Sequence, residues 1–398
     1  ACTTCGDTIY EPISAYGHTY ETVVTAPTCT EQGYTTYTCH CGDSYVSDYV
    51  EALDHRFVNG ICGICGEADP DFVPMPMVTG KGFTLSFEDE ILVNLYFTVS
   101  DVTHVVEQGM LMFYADPGTA DITAADAVYT GSEATDSYIA TTDGIAAKEM
   151  GDDRYYCAYA KLTDGSYIYS PLYQYSPKKY AMNMLGKTST SAKQKSLCVA
   201  MLNYGAAAQN YFGYKTDDLM NSELTAAQKA LVKPYTSDLL VGAVPADSSK
   251  TGNFAQTSAG FSGRSASVSF EGAFMINYYF APDRTVNGDL TFYYWSAEDY
   301  AAANKLTTAN ATGKLSMKNL GNGSYSAQVT GIAAKQIDDT FYVCGVYTSG
   351  GNTYCTGIIA YSLSRYCKNN AGSADPGMQE LAKATAVYGY HAATYFAN

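Results

Sequence analysis

Three short blocks of sequence occur twice in this chain in the same order, and this duplication constrains the fold more than any other feature. At their first occurrence the blocks are 86–88 with 93–97, then 144–148, then 204–205 with 211–212. At their second occurrence they are 269–271 with 276–280, then 331–335, then 388–389 with 395–396. The middle block, Gly-Ile-Ala-Ala-Lys, returns unchanged. Self-similarity in a fixed order indicates a repeated structural unit. The sequence therefore predicts two tandem copies of one fold.

Each copy has the pattern of antiparallel strands followed by one helix. Tyr, Phe, Val and Ile alternate with small polar residues in the segments 83–99, 110–114, 155–161 and 167–173, which is typical of strands. Asp164-Gly165 and the stretch 349–352 lie between such segments and predict hairpin turns. Apolar residues then recur every three or four positions in 197–211 and again in 381–395, which predicts an amphipathic helix at the end of each copy.

The predicted fold class is mainly β with helices (α+β). A small zinc-ribbon-like module occupies residues 1–66, and an acidic stretch with several prolines, 67–80, is predicted to be a short linker. Two homologous antiparallel β-sandwich-like domains follow at 81–214 and 260–398, each closed by its amphipathic helix. The connector between them, 215–259, is predicted to be helical at first and then Ser/Gly-rich.

Seven of the twelve cysteines lie in the first 65 residues, where Cys-x-x-Cys-Gly pairs predict a metal-binding module. The simplest division gives one site from Cys2, Cys5, Cys62 and Cys65, and a second from Cys29, Cys39, Cys41 and His55, with His18 as a competing ligand. Disulfides in an oxidising medium are the open alternative. In either case the role is structural, because so short a segment cannot be stabilised by apolar burial alone. The expected ion is zinc.

Residues 26–39, 41–45 and 52–55 resemble a Cys/His repeat found in secreted surface proteins of anaerobic gut Firmicutes. This chain has Cys39-x-Cys41 where the family has Cys-x-x-Cys, and Asp54-His55 where the family has Gly-His. The body blocks, above all 146–150 and 200–214, resemble a duplicated Tyr-rich module of the same group of proteins, which has no established activity. The resemblance implies a bacterial surface protein with an accessory N-terminal module.

Composition agrees with an extracellular protein and excludes nucleic-acid binding. The net charge of −17 and the pI near 4.6 would repel a polyanion over most of the surface. The longest apolar runs are far shorter than the roughly 20 residues of a membrane helix. Abundant tyrosine, glycine and serine with few lysines is expected of a secreted chain, and the start at Ala1 is what removal of a signal peptide would leave.

The remaining candidate residues are cysteines and aromatics of the two copies. Cys344 and Cys355 flank a predicted hairpin and are disulfide candidates, as are Cys157 and Cys198. A stacking platform for a glycan is a further hypothesis for the clusters Tyr293-Tyr294-Trp295 and Tyr278-Tyr279. The repeated Lys148 and Lys335 are expected to form ion pairs with Glu88 and Glu271.

No catalytic signature is present, since the sequence contains neither a GxSxG nor an HExxH motif. The leading hypothesis is a non-catalytic extracellular structural protein that assembles with copies of itself into a surface filament or layer. The alternative is a carbohydrate-binding or adhesin module of a gut anaerobe. An unrecognised glycoside hydrolase is third, because its two carboxylates can lie far apart in sequence.

Overall fold

The computed structural model describes residues 3–8, 17–72, 74–87, 90–254, 261–270, 273–282 and 290–397. The chain divides into two compact units, Ala1–Met75 and Pro76–Asn398, which we call the head and the body. The predicted fold class is confirmed at the level of a mainly β chain with helices and several antiparallel sheets.

The head contains a three-stranded sheet and a short hairpin. Alternating Thr, Tyr and Val residues favour extended backbone here. The strands are β1 (Tyr20–Thr25), β2 (Gly33–Cys39), β3 (Ser44–Val50), β4 (Phe57–Val58) and β5 (Ile61–Cys62). The sheet has the order β1-β2-β3, and β4 pairs with β5.

The predicted linker, 67–80, is divided between the two units. Its first residues belong to the head, because the Asp69 amide donates to the Gly60 carbonyl at 2.8 Å and the Phe72 ring lies against Gly60. Its last residues, from Val78 onward, begin the first strand of the body.

The N-terminal half of the body contains two antiparallel sheets. Their strands are β6 (Val78–Ser86), β7 (Leu92–Val99), β8 (Val105–Phe113), β9 (Ala127–Thr130), β10 (Ser132–Ala134), β11 (Ser137–Thr141), β12 (Arg154–Leu162), β13 (Tyr167–Tyr169) and β14 (Tyr173–Tyr175). One sheet has the order β10-β11-β7-β6, and the other has the order β13-β12-β8-β9 with β14 also paired to β12.

The C-terminal half also contains two antiparallel sheets. Their strands are β15 (Phe261–Ser269), β16 (Phe274–Pro282), β17 (Thr291–Trp295), β18 (Gly313–Leu315), β19 (Met317–Asn319), β20 (Tyr325–Ile332), β21 (Phe341–Ser349), β22 (Asn352–Cys355) and β23 (Ile359–Tyr361). The orders are β15-β16-β20-β19 and β18-β17-β21-β22, with β23 also paired to β21.

Helices follow the last strand of each half, except for α5, which lies between β17 and β18. They are α1 (Pro177–Gly186), α2 (Ala192–Phe212), α3 (Ala226–Lys229), α4 (Ser248–Thr251), α5 (Ala297–Ala302), α6 (Leu363–Asn370) and α7 (Pro376–Phe396). Single 3-10 turns occur at Ile122–Ala124, Ala147–Glu149, Gly252–Phe254 and Ala334–Gln336. The two predicted long helices, α2 and α7, are confirmed; Ser191 and Asp375 cap their first turns.

One continuous apolar core runs through both halves of the body, and α2 packs along α7 within it. Two smaller clusters lie on the far faces of the sheets. In β12, for example, Tyr156 and Ala158 face the main core, whereas Cys157 and Tyr159 face a small cluster on the other side. Among the described helices, none combines the length and the apolar composition that crossing a bilayer requires.

Candidate metal centre

Four side chains of the head converge on one point: Cys29, His55, Cys62 and Cys65. Their ligand atoms all lie within 4.8 Å of one another. Cys29 lies in the turn before β2, and the chain that leads to His55 is held beside this turn because the Leu53 amide donates to the Thr28 carbonyl at 2.9 Å. Cys62 is the last residue of β5, and Cys65 lies in the turn that follows it.

The distances fit tetrahedral coordination of zinc. A Zn–S bond of about 2.3 Å places two thiolates about 3.8 Å apart in a tetrahedron. The sulfurs of Cys29 and Cys62 are 3.8 Å apart, and Cys65 Sγ lies 3.5 Å from His55 Nδ1. Three cysteines and one histidine form a complete ligand set of the structural type.

Backbone amides prepare one of these thiols for a cation. Hydrogen bonds from the amides of Cys65 and Ile64 lower the pKa of Cys62 to about 5, so this group is a thiolate at neutral pH. Gly66 allows the turn, since its φ is +79° and its amide donates to the Cys62 carbonyl at 2.9 Å. Burial raises the pKa of Cys29 to about 12, so that thiol keeps its proton until a cation displaces it.

Glu67 supports the histidine ligand from outside, and the sequence analysis did not single it out as a functional residue. Its Oε2 lies 3.5 Å from His55 Nε2, the ring nitrogen that faces away from Cys65. A carboxylate in this position holds a ligand histidine in one orientation. Its position in the sequence, directly after the Cys65-Gly66 turn, is the feature that could have identified it as a partner of the metal ligands.

A second cluster contains His18, Cys39 and Cys41. His18 Nδ1 lies 3.1 Å from Cys41 Sγ, which lies 3.0 Å from Cys39 Sγ. The Cys39 hydrogen bond raises the pKa of His18, and hydrogen bonding from Cys41 lowers the pKa of Cys39 to about 7. These three side chains supply three of the four ligands that a tetrahedral ion takes.

The structure regroups the predicted ligands. Cys29 and Cys39 were expected to share one ion, but they lie near opposite ends of β2, which as a seven-residue strand extends about 20 Å. Each end of the strand therefore has its own cluster, and His18 joins the second one. Cys5 is exposed and belongs to neither cluster, while Cys2 lies outside the described residues.

The structure buries two of the five residues of the predicted aromatic platform. Trp295 and Tyr278 are fully buried. The Trp295 ring meets Phe254 edge to face at 5.1 Å between centroids, and its Nε1 donates to Asn310 Oδ1 at 3.1 Å. Trp295 is buried because the connector and α5 cover the outer face of its sheet, whereas Tyr278 belongs to the neighbouring sheet and faces the main core. Tyr279, Tyr293 and Tyr294 are only partly buried.

The disulfide candidates have two different outcomes. Cys157 lies on the face of β12 that points away from α2, so the structure does not bring it to Cys198. Cys344 and Cys355 do meet, on neighbouring strands, with their thiols hydrogen-bonded. The predicted partners of Lys148 and Lys335, Glu88 and Glu271, lie outside the described residues.

The two histidines of the body have separate surroundings. His104 Nδ1 lies 2.8 Å from the Asp101 carboxylate on an exposed turn. His391 accepts a hydrogen bond from the Lys233 amide at 3.3 Å, and burial lowers its pKa. In the described part of the chain, neither ring has a hydroxyl or thiol on one nitrogen and a carboxylate on the other, as a nucleophile–base–acid triad requires; Thr103 and Asp101 both contact Nδ1 of His104.

No protein-family model and no curated protein matches this chain.

Proposed function

We propose that this chain is a non-catalytic extracellular structural protein, with a zinc-stabilised head and a body made of two copies of one β-sandwich-like domain. Copies of the chain assemble through the head into a surface filament or layer. The observation that carries the proposal is the exposed apolar sheet of the head, described below.

The order of the strands supports the tandem copies. The orders β10-β11-β7-β6 and β13-β12-β8-β9 of the first half correspond, strand for strand, to β19-β20-β16-β15 and β22-β21-β17-β18 of the second. The extra strands correspond as well, since β14 pairs with β12 and β23 pairs with β21. Nine strands in matching order are the expected result of copying one unit.

A buried asparagine makes the same contacts in each half. Asn94 Nδ2 donates to Ser86 Oγ at 2.9 Å, and Asn277 Nδ2 donates to Ser269 Oγ at 2.9 Å. Each side-chain oxygen also accepts a hydrogen bond from the neighbouring strand, from Thr141 in one half and from Gln328 in the other. Equivalent strands are thus tied together by equivalent buried polar groups.

The repeated lysines also have equivalent surroundings. Lys148 Nζ lies 5.2 Å from the centroid of the Phe212 ring, and Lys335 Nζ lies 5.0 Å from that of Phe396. In each half the last turn of the long helix therefore covers the repeated Gly-Ile-Ala-Ala-Lys block through a cation–π contact. This explains why the two blocks recur together in the sequence.

Zinc in the head is supported by the ligand geometry. Three cysteines and one histidine at tetrahedral spacing, with amides directed at Cys62, match a structural site more closely than a disulfide framework. A head with small sheets and few buried aliphatic residues depends on a metal centre for its stability.

The head sheet supports self-assembly because its outer strands are exposed and apolar. Val23 and Val24 of β1 are 66% and 74% exposed, and Tyr49 and Val50 at the end of β3 are 63% and 54% exposed. Among the described residues, β1 and β3 are the outer strands of this sheet. Exposed outer strands rich in β-branched residues are templates for pairing with another chain. A second copy supplies the matching strand.

The test is the mass of the full chain in solution. Light scattering after size exclusion should show mass rising with concentration, and electron microscopy should show filaments or sheets. Val24→Lys should abolish this growth, because a lysine on an outer strand blocks pairing. Val106→Lys, at an exposed valine of a body strand, is the matched control. Chains that stay monomeric at high concentration would contradict assembly.

One specific observation favours a second candidate function, carbohydrate binding. Tyr37 and Tyr45 stack on one face of the head sheet, with centroids 4.8 Å apart, and Tyr45 is 46% exposed. Tyr20 Oη donates to Asp43 at 2.5 Å beside them. Aromatic rings next to carboxylates are suited to sugars. Loss of glycan binding in Tyr45→Ala, with binding retained in Tyr49→Ala, would support this candidate.

A further inference from the structure

We propose that Cys344 and Cys355 form a disulfide in an oxidising medium, and that this bridge fastens the outer hairpin of the second half to the sheet. The pair lies in the body and is separate from the metal clusters of the head. No metal or partner chain is needed for it.

The register of the hairpin places the two sulfurs on one face. Cys355 of β22 lies directly opposite Val346 of β21, and Cys344 lies two residues before Val346. Residues two apart on a strand point to the same face, so Cys344 and Cys355 are diagonal neighbours there. Their thiols are already in hydrogen-bond contact, and both lie in the small cluster around Trp295.

The other cysteines of the body lack such a neighbour. Cys157 packs against Leu111 on the outer face of the first half. Cys198 and Cys367 lie on different helices, α2 and α6, and neither is hydrogen-bonded to another cysteine among the described residues. Oxidation of the body is therefore expected to produce one bridge and to leave three thiols.

The two thiols are unequal, which sets the order of the chemical steps. The hydrogen bond between the two thiols lowers the pKa of Cys355 while it raises that of Cys344. Cys355 is also the more accessible, at 5% exposed against 0%. Cys355 is therefore expected to react first, since it is the more accessible sulfur and the one whose pKa is lowered.

The oxidant is a small-molecule disulfide such as oxidised glutathione. The Cys355 thiolate attacks one of its sulfurs, the external S–S bond breaks, and one thiolate leaves and takes up a proton. Cys344 then loses its proton and attacks the sulfur of Cys355 in the mixed disulfide, which releases the second thiolate. Two protein thiols are oxidised by two electrons, and one external disulfide is reduced to two thiols.

The bridge would act on the part of the body where the connector docks. β22 is the outer strand of its sheet, and the cluster beneath it contains Phe254 of the connector together with Trp295 and Tyr300. A cross-link between β21 and β22 limits opening of this hairpin in the unfolded chain and stabilises the native state. The effect expected is a rise in melting temperature of about 3 to 6 °C.

The direct test is mapping of thiols in the full chain after incubation with oxidised glutathione. The protein is denatured, alkylated and digested with trypsin, which leaves both cysteines in one peptide, 336–365. The expected peptide carries no alkyl group and is lighter than the dithiol form by two hydrogen atoms. Peptides with Cys157, Cys198 and Cys367 should be alkylated. Alkylation of Cys344 and Cys355, or a bridge from either to another cysteine, would overturn the proposal.

Stability gives a second readout. The wild type should melt at a lower temperature after reduction, and Cys355→Ser should lose this dependence on reductant. Cys198→Ser is the matched control, since it removes a buried thiol of the body and should keep the dependence. If Cys355→Ser does not fold, Cys344→Ala replaces it. A dependence on reductant that persists in both variants would show that another group is responsible.

Discussion

Tyr204 of α2 and Tyr388 of α7 stack face to face, with ring centroids 5.3 Å apart and planes inclined by 9°. Both are buried. They occupy the same position of the repeated Tyr-Gly block, one in each half. Contact between equivalent residues is what a two-fold axis produces, because only positions on the axis meet their own counterparts. The stacked pair is the contact that the proposed copies would make if an approximate two-fold axis passed between these rings.

Removing either ring should destabilise the body, and the two losses should not add. Tyr204→Ala should lower the free energy of unfolding by about 3 to 5 kcal/mol, because it leaves a cavity at the centre of the core. The double variant with Tyr388→Ala should lose about 0.5 to 1.5 kcal/mol less than the sum of the single variants. Urea unfolding followed by circular dichroism measures both. Tyr114→Ala, at an exposed ring, is the control, and strictly additive losses would show that the rings do not interact.

A methyl group at Gly389 should be tolerated worse than one at Gly205. A Cβ at Gly389 would lie 2.7 Å from Ile337 Cβ, a stiff branched side chain, whereas a Cβ at Gly205 meets the flexible ends of Met150 and Met220. Gly389→Ala should cost about 1 to 3 kcal/mol despite the better helix propensity of alanine. Gly186→Ala, which has open space, is the control. Thermal melts of the variants measure the loss of stability. An equal loss in Gly389→Ala and Gly205→Ala would be evidence against this packing.

Zinc should be essential to the head and not to the body. Chelation should increase hydrogen exchange in residues 17–72 and leave α2 and α7 protected, because the proposed ion would take the place of an apolar core only in the head. Elemental analysis should show about one zinc fewer per chain in Cys62→Ser than in the wild type. Cys157→Ser should keep the wild-type content. Unchanged exchange in the head after chelation would favour disulfides instead.

The single tryptophan should report a dry environment. Trp295 is fully buried beside Phe254, so its fluorescence should be blue-shifted, resist quenching by acrylamide and shift to the red when urea unfolds the body. Glycans should not change it. Ready quenching in the native protein, or a shift on addition of a glycan, would place the ring on the surface after all.

The sequence predicted helices and turns well, because each depends on residue types only a few positions apart. The period of the apolar residues gave α2 and α7, and the glycines at 350 and 351, both with positive φ, form the predicted turn between β21 and β22. The sequence predicted which residue types of the head could bind a metal, but not which of them lie together in each cluster. Cys29 and Cys39 are close along the chain, yet the strand between them separates them.

The sequence by itself determined the β-rich character, the two long helices, the repeated blocks and the concentration of cysteines, because each depends on residue types at short range. Only the tertiary structure decided which of these residues meet. Alternation along a strand assigns side chains to two faces but does not say what covers each face. Trp295 is buried because the connector and α5 lie over it, and Cys344 meets Cys355 because of the hairpin register. Tyr204 meets Tyr388 because α2 and α7, which begin 184 positions apart, pack together.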